Sequence, residues 1–297
     1  MKKLIVLVIC LAVLFGSACA ENGFLIVCPD GAPALTVATL KDKVQTVAAE
    51  TIAAPFSAEE ADFIIAPVNA GAKLFKAGKS SYRLAAVVTW GNLVFASQIP
   101  DFSLETMNGR TVTLFGENTI NASVALFILR EKGVEPDQIA YEAGAKNTQE
   151  LLMNNAEAIV MTAEPAVTVA KMKKEGITSI SIAELYHDIT GDEGFVQAGL
   201  FVREETLKEN EETVKQWLEE IRGAADLCVT EPETVVAAAV EMGIIPNEKV
   251  GMNAIGNCHI HFIGAKEARE KIDRIVAIDP SQFGGESPAD DFYYEAE

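Results

Sequence analysis

Histidine, cysteine and basic residues are all scarce in this chain of 297 residues. Its three histidines, His187, His259 and His261, leave few positions for imidazole catalysis or metal ligation. His259 and His261, two apart, would share one face of a strand, with Cys258 on the opposite face and no third ligand nearby. The reading is therefore no metal and no cofactor. Of five cysteines, Cys28, Cys228 and Cys258 follow the N-terminal segment that holds Cys10 and Cys19. That odd set excludes a disulfide framework and leaves one conceivable bridge, Cys228 to Cys258, against buried thiols. Lys and Arg number 24 against 43 Asp and Glu, a formal charge of −19, which argues against a nucleic-acid partner. It says little about a small ligand, whose local geometry can override a global field. Beyond residue 15 no apolar run approaches the roughly 18 residues a bilayer span requires. There is no G-x-S-x-G, no H-E-x-x-H, no phosphate-binding glycine loop, no internal repeat and no low-complexity tract.

What is present begins with Lys2 and Lys3, an apolar core LIVLVICLAVLF and the small residues GSACA. This pattern predicts a secretory signal over residues 1–20 and an extracytoplasmic protein. Ala18-Cys19-Ala20 fits an A-x-A cleavage site, while Gly16-Ser17-Ala18-Cys19 resembles a lipobox whose Cys19 would carry a lipid anchor. The remaining length exceeds the usual size of one core and predicts two lobes.

Apolar strand-like runs alternate with segments of helical periodicity. GFLIV, ADFIIAPV, RLAAVVTW, NLVFAS, TVTLF, AEAIVMT and TSISI read as strands. Between them ALTVATLKDKV, AGAKLFKAG, NASVALFILREKG, NTQELLMNN and PAVTVAKMKKEG read as helices, several with glycine stops. This alternation predicts an α/β fold with a parallel sheet covered on both faces. The C-terminal third, from REETLKENEETVKQWLEEIRGAADL, reads as mostly helical and acidic, and Glu204 to Glu220 as a solvated face laced with i, i+4 charge pairs.

Ligands of open α/β sheets gather beyond the carboxyl ends of the strands. Four segments fall at such ends. Asp30-Gly31-Ala32-Pro33 lies between a strand and a helix; Gly31 lets the backbone turn and Pro33 suits a first helical turn. Ala66-Pro67-Val68-Asn69 ends a strand, with Asn69 as the expected N-cap. Gly116 to Asn121, including Asn118 and Thr119, leads from strand to helix, as does Ala163-Glu164-Pro165. Each alone is ordinary capping; four together suggest a site.

The order PDGAPALTVATL, ADFIIAPVNAGAKLFKAG, YRLAAVVTWGNLVFAS, MNGRTVTLFGENTINASVALFILREKGV, AIVMTAEPAVTVAKMKKEG and SQFGGESPADDFYY resembles the substrate-binding proteins of nitrate/sulfonate/taurine-type ABC importers, the NMT1/THI5-like periplasmic-binding-protein family. The most specific parts are PVNAG, TWGNL, the AEP turn and the FYY ending. The resemblance implies a type 2 periplasmic-binding-protein fold, two α/β lobes joined by two hinge strands with a ligand cleft between. The crossings are expected near Leu93 to Gln98 and Phe195 to Val202, giving lobe 1 as 22–96 plus 200–297 and lobe 2 as 97–199. It further implies a ligand site of Asp30, Gly31, Ala32, Pro33, Asn69, Trp90, Gly91 and Asn92 in lobe 1, facing Asn118, Thr119, Asn121 and Glu164 in lobe 2. No covalent chemistry is required, and no catalytic residue is assigned. The partners implied are a small solute and an ABC permease, for a monomeric protein whose only membrane contact would be a lipid anchor. Relatives often carry sulfonates or other small anions, which helix N-termini at Pro33, Asn69 and Thr119 would bind. Against that, the four segments contain no Arg or Lys while Asp30, Glu117 and Glu164 are acidic, and Lys73 is the nearest base. A nitrogenous cation or neutral ring stacked on Trp90 is the alternative ligand. A ligand sensor without transport, or a secreted enzyme of the thiamine-pyrimidine-synthase-like fold, is the alternative function.

Overall fold

The computed structural model describes residues 23–295. The expected signal over residues 1–20, its cleavage and the lipidation of Cys19 lie outside the described residues. In chain order the strands are β1 (Ile26–Pro29), β2 (Val44–Val47), β3 (Phe63–Pro67), β4 (Arg83–Thr89), β5 (Leu93–Ser97), β6 (Thr111–Phe115), β7 (Gln138–Glu142), β8 (Ile159–Ala163), β9 (Thr178–Ser181), β10 (Ala198–Val202) and β11 (Ile260–Gly264). They form two separate sheets, one of six strands ordered β11-β4-β10-β3-β1-β2 and one of five ordered β7-β6-β8-β5-β9.

The alternation of elements predicts a parallel sheet, but neither sheet is purely parallel. β1, β2 and β3 pair in parallel, but β10 runs antiparallel to both β3 and β4. In the second sheet β6 is parallel to β7 and β8, and β5 is antiparallel to β8 and β9. The antiparallel strands are those flanking the two passages of the chain between sheets. The first passage is Trp90–Asn92, between β4 and β5, and the second precedes β10. The expected division at 96/97 and 199/200 is thus corrected: Leu93–Ser97 belongs wholly to the second sheet and Ala198 already to the first.

Central strands are apolar on both faces because helices cover both. β4, β5, β8 and β10 are buried almost throughout. One apolar cluster runs from Phe56, Tyr82 and Phe201 in the first unit through Trp90 and Phe195 to Phe95 and Leu114 in the second. Each fully buried Phe here contributes roughly 2–3 kcal/mol by removal from water. The expected C-terminal helical third forms Glu204–Glu209, Glu211–Thr230, Pro232–Glu241, Glu248–Ala254 and Arg269–Ile278, interrupted by β11. Its acidic face is solvated, with Lys208 paired to Glu204 and Lys215 to Glu212, each at 2.8 Å. The chain end returns along β4, where the Tyr294 N–H donates to the Leu84 carbonyl (2.8 Å).

The conceivable Cys228–Cys258 bridge does not form. Both thiols and Cys28 are free and buried; Cys228 donates to the Leu35 carbonyl and Cys258 to the Ala254 carbonyl. Burial pushes the Cys28 and Cys228 thiols up to about 12, with Asp30 and Asp226 adding to it, and burial raises Cys258 well above the ordinary range. Iodoacetamide at pH 8 is therefore expected to leave these three unlabelled in the folded protein and to label all three in urea, read by peptide mass spectrometry. Labelling of Cys258 without denaturant would show that the packing of β11 opens readily. His259 and His261 do not share a strand face either. His259 is left-handed (φ 47°) at the end of the turn Ile255–Cys258, and β11 begins one residue later. Among the described residues no group of three or more His, Cys, Asp or Glu side chains is placed to hold a metal ion. Among the same residues no helix is long and apolar enough to cross a membrane.

Candidate functional site

Two loops carry the chain between the sheets, and the polar groups gather where these loops meet. Gln197, in the returning passage, is the centre. Its backbone N–H donates to the Thr89 carbonyl (3.1 Å) and its carbonyl accepts from the Val68 N–H (3.1 Å). Its side-chain oxygen accepts from the Asn92 N–H (3.2 Å), and its Nε2 donates to the Asn121 Oδ1 (3.3 Å). One amide thereby touches β4, the start of the helix Val68–Lys76, the outgoing passage and the first turn of the helix Ile120–Glu131 in the second unit.

Asn92 and Glu164 extend the β5–β8 ladder by one rung. The Glu164 N–H donates to the Asn92 carbonyl (2.9 Å), and the Asn92 Nδ2 donates to the Glu164 carbonyl (2.8 Å). The Glu164 carboxylate accepts from the Thr168 N–H at 3.3 Å, in the first turn of the helix Ala166–Lys173. It is only 4% exposed. Burial raises its pKa above the ordinary Glu value, and Thr168, Lys171 and the Asn257 side chain from beyond the facing sheet only partly offset this.

Asn69 is not the N-cap. Pro67 occupies that position and Asn69 lies in the first turn, because the Val68 N–H is already tied to Gln197. The Asn69 Oδ1 is buried without a partner, and so are the Asn92 Oδ1 and Thr89 Oγ1. Trp90 packs rather than presents a free ring: it is 4% exposed, and its indole N–H donates to the His261 carbonyl (2.9 Å). Gly91 is held at φ 94°, and a Cβ there would meet the Phe195 ring.

Asn92, Asn121 and Glu164 thus join one network with Gln197, and Asn69 lies one residue from it through Val68. The other predicted residues do not join it. Asp30 is exposed, its N–H donating to the Val47 carbonyl (3.0 Å). Gly31, at φ 102°, caps a helix of four residues, Ala32–Leu35, in which Ala32 and Leu35 pack against the C-terminal helices while Pro33 is half-buried. So short a helix offers no appreciable dipole. Asn118 is exposed at φ 58°, and the Thr119 hydroxyl donates to the Gly116 carbonyl (2.6 Å). Gln197 and Asn257 were not among the sequence candidates. The signal for Gln197 was a single polar residue inside the apolar run FVQAGLFV.

The two units also touch on both sides of this network. The Ser123 Oγ donates to the Asp279 Oδ2 (2.7 Å), and Asp192 pairs with Lys271 (3.2 Å) and Arg274 (3.3 Å). A groove of about 520 Å³ opens between the helix Ile182–Thr190 of the second unit and His259 of the first, lined by Glu184, Asp188, Glu193 and His187. None of the predicted site residues lines it.

Two mixed α/β units joined by two adjacent passages, with polar groups converging between them, define the type 2 periplasmic-binding-protein fold. Solved structures bear this out. An ABC transporter protein from Parabacteroides distasonis superposes with a TM-score of 0.79 at 18% identity, over 93% of this chain and 100% of that one. The periplasmic aliphatic sulphonate binding protein of Escherichia coli gives 0.71 at 11% identity over 94% of each chain. The ligand binding component of an ABC-type import system from Staphylococcus aureus, solved with zinc bound, gives 0.72 at 9% identity, over 93% of this chain and 97% of that one. Residues 97–235 match the model of the NMT1/THI5 like family. No curated protein matches the chain.

Proposed function

We propose that this protein is an extracytoplasmic solute-binding protein, which captures a small molecule between its two α/β units and delivers it to the permease of an ABC importer. The observation that carries the reading is the Gln197 network. It joins both units at the two passages, where a small change in backbone angles swings one sheet relative to the other. A solute touching both units favours the closed arrangement by the contacts it makes only there. The lobes follow the strand pairing, and the site is the polar cluster of Asn69, Asn92, Asn121, Glu164 and Gln197, apart from Asp30, Asn118 and Thr119. The protein acts as a monomer, periplasmic or held by a lipid at Cys19 on the outer face of the membrane. It carries no catalytic residue in this reading.

Native mass spectrometry of the full chain, purified from its producing cells, tests this. A small molecule is expected to be retained, lost on unfolding in urea, and to restore thermal stability when added back. A chain that carries nothing, and that no small solute stabilises, would overturn the binding-protein reading.

A further inference from the structure

The chemistry of the network also limits what enters it. The buried side-chain atoms left without partners between the two units are oxygens, the Oδ1 of Asn69, the Oδ1 of Asn92 and the Oγ1 of Thr89. The Asn92 amide has its orientation fixed, because Nδ2 is committed to the Glu164 carbonyl (2.8 Å), which leaves its Oδ1 as an acceptor without a partner. Asn69 and Asn92 are 8% and 6% exposed, too buried for bulk water to satisfy those oxygens. Beside them sits the buried Glu164 carboxylate, 4% exposed. Of the bases nearest in sequence, Lys73 is exposed, and the Lys171 Nζ donates to Ser179 (2.6 Å) on β9 while its charge still reaches the Glu164 carboxylate and only partly offsets its burial.

An oxyanion brought here would meet two amide oxygens and a carboxylate, which outweigh the Thr89 hydroxyl, the one of the three orphaned groups able to donate as well as accept. A group with several N–H donors and a positive charge would satisfy the orphaned oxygens and give the carboxylate a counter-ion. We infer that the site takes a compact nitrogenous cation, an ammonium, amidinium or guanidinium group, held by the Glu164 carboxylate and the amide oxygens of Asn69 and Asn92. This inference rests on the solute-binding reading above and names its ligand class.

The inference makes affinity depend on pH through Glu164. The groups that face its carboxyl are Lys171 and Thr168 on its own helix, and Asn257 and the neutral Cys258 thiol from the facing segment. Because burial favours the protonated acid in the empty site, a cation binds at the cost of expelling that proton. Its affinity rises with pH until the carboxyl is fully ionised.

The test titrates the full chain, freed of retained solute in urea and refolded, with methylguanidinium and butylammonium against methanesulfonate and nitrate at constant ionic strength, by calorimetry and thermal shift. A cation is expected to bind, more tightly at pH 7.5 than at pH 5, and about tenfold or more weakly to Glu164→Gln. Asn69→Asp, which adds a second carboxylate without breaking a hydrogen bond, is expected to tighten the cation, a gain that loss of folding would not produce. Binding of methanesulfonate or nitrate alone would overturn the inference and leave the solute-binding reading standing. Should none of the four bind, the class of the molecule retained in native mass spectrometry decides: a nitrogen base supports the inference and an anion overturns it. Absence of any retained molecule would overturn both.

Discussion

Gly194→Val is expected to destabilise the protein by about 3 kcal/mol or more, the upper range for forcing atoms into a filled site. A Cβ on Gly194 would fall on the Trp90 carbonyl oxygen and lie 3.1 Å from the Trp90 Cβ. Those are backbone and near-backbone atoms, so no flexible side chain can yield. Trp90 cannot retreat, because its backbone N–H donates to the His259 carbonyl (2.9 Å) and its indole N–H to the His261 carbonyl (2.9 Å). Phe195, next along the returning passage, is wholly buried and already touches the position a Cβ on Gly91 would take. The two passages are therefore packed against each other with no spare volume, and a valine must push them apart. Gly191→Ala is the control: with φ 78° and open space around it, that change costs only backbone strain, on the order of 1 kcal/mol. Urea denaturation followed by tryptophan fluorescence measures both. If Gly194→Val unfolds within 1 kcal/mol of the parent, roughly the size of a typical surface effect, the passages are not the close contact described here.

How much of this was legible beforehand depended on how each element meets water. Strands buried on both faces announce themselves as continuous apolar runs, and β3, β4, β5, β6 and β8 were read that way. β2 (VQTV) and β7 (QIAYE) escape such a reading, since each is a short edge strand with only partly buried or exposed residues, while β11 (IHFIG) is read only as the strand expected around His259 and His261. ALTVATLKDKV looked helical by the spacing of its apolar residues. In the structure it breaks into the helix Ala32–Leu35, a tighter turn at Ala38–Lys43, and β2. Its β-branched Thr36, Val37 and Thr39 disfavour a continuing helix, and pairing with β1 claims the rest. In the site, Glu164 is legible because it stands where a strand ends in a polar residue, while Asn92, directly before β5, enters through the family resemblance of TWGNL. Gln197 is not legible, because its importance comes from four partners at sequence separations of 76 to 129 residues that only the fold brings together. Asp30, which looked like the most conspicuous candidate, stands clear of the network because its strand continues the sheet edge toward β2.

Glu164→Gln is expected to make the ligand-free protein more stable at neutral pH, by on the order of 1 kcal/mol, the scale of desolvating a polar group. The sign follows from the raised pKa of the buried carboxyl. Above the ordinary Glu range the unfolded chain has given up a proton that the folded chain still holds. Folding then takes up a proton, and the parent loses stability as pH rises from the unfolded value through the raised folded one. Glutamine has no proton to lose and keeps an oxygen for the Thr168 N–H, so the advantage of the variant is near zero at pH 4, grows with pH and levels off. Thermal melts of both proteins from pH 4 to pH 8 measure this. A gap that is constant across that range would mean that Glu164 titrates as it does in water and that its burial carries no electrostatic cost. A widening gap would mean that the protein keeps a destabilising carboxylate between its two units although an isosteric amide fits there. Such a cost persists where a site must be ready for a ligand that neutralises it, which would link the stability of the ligand-free protein to the charge of its solute.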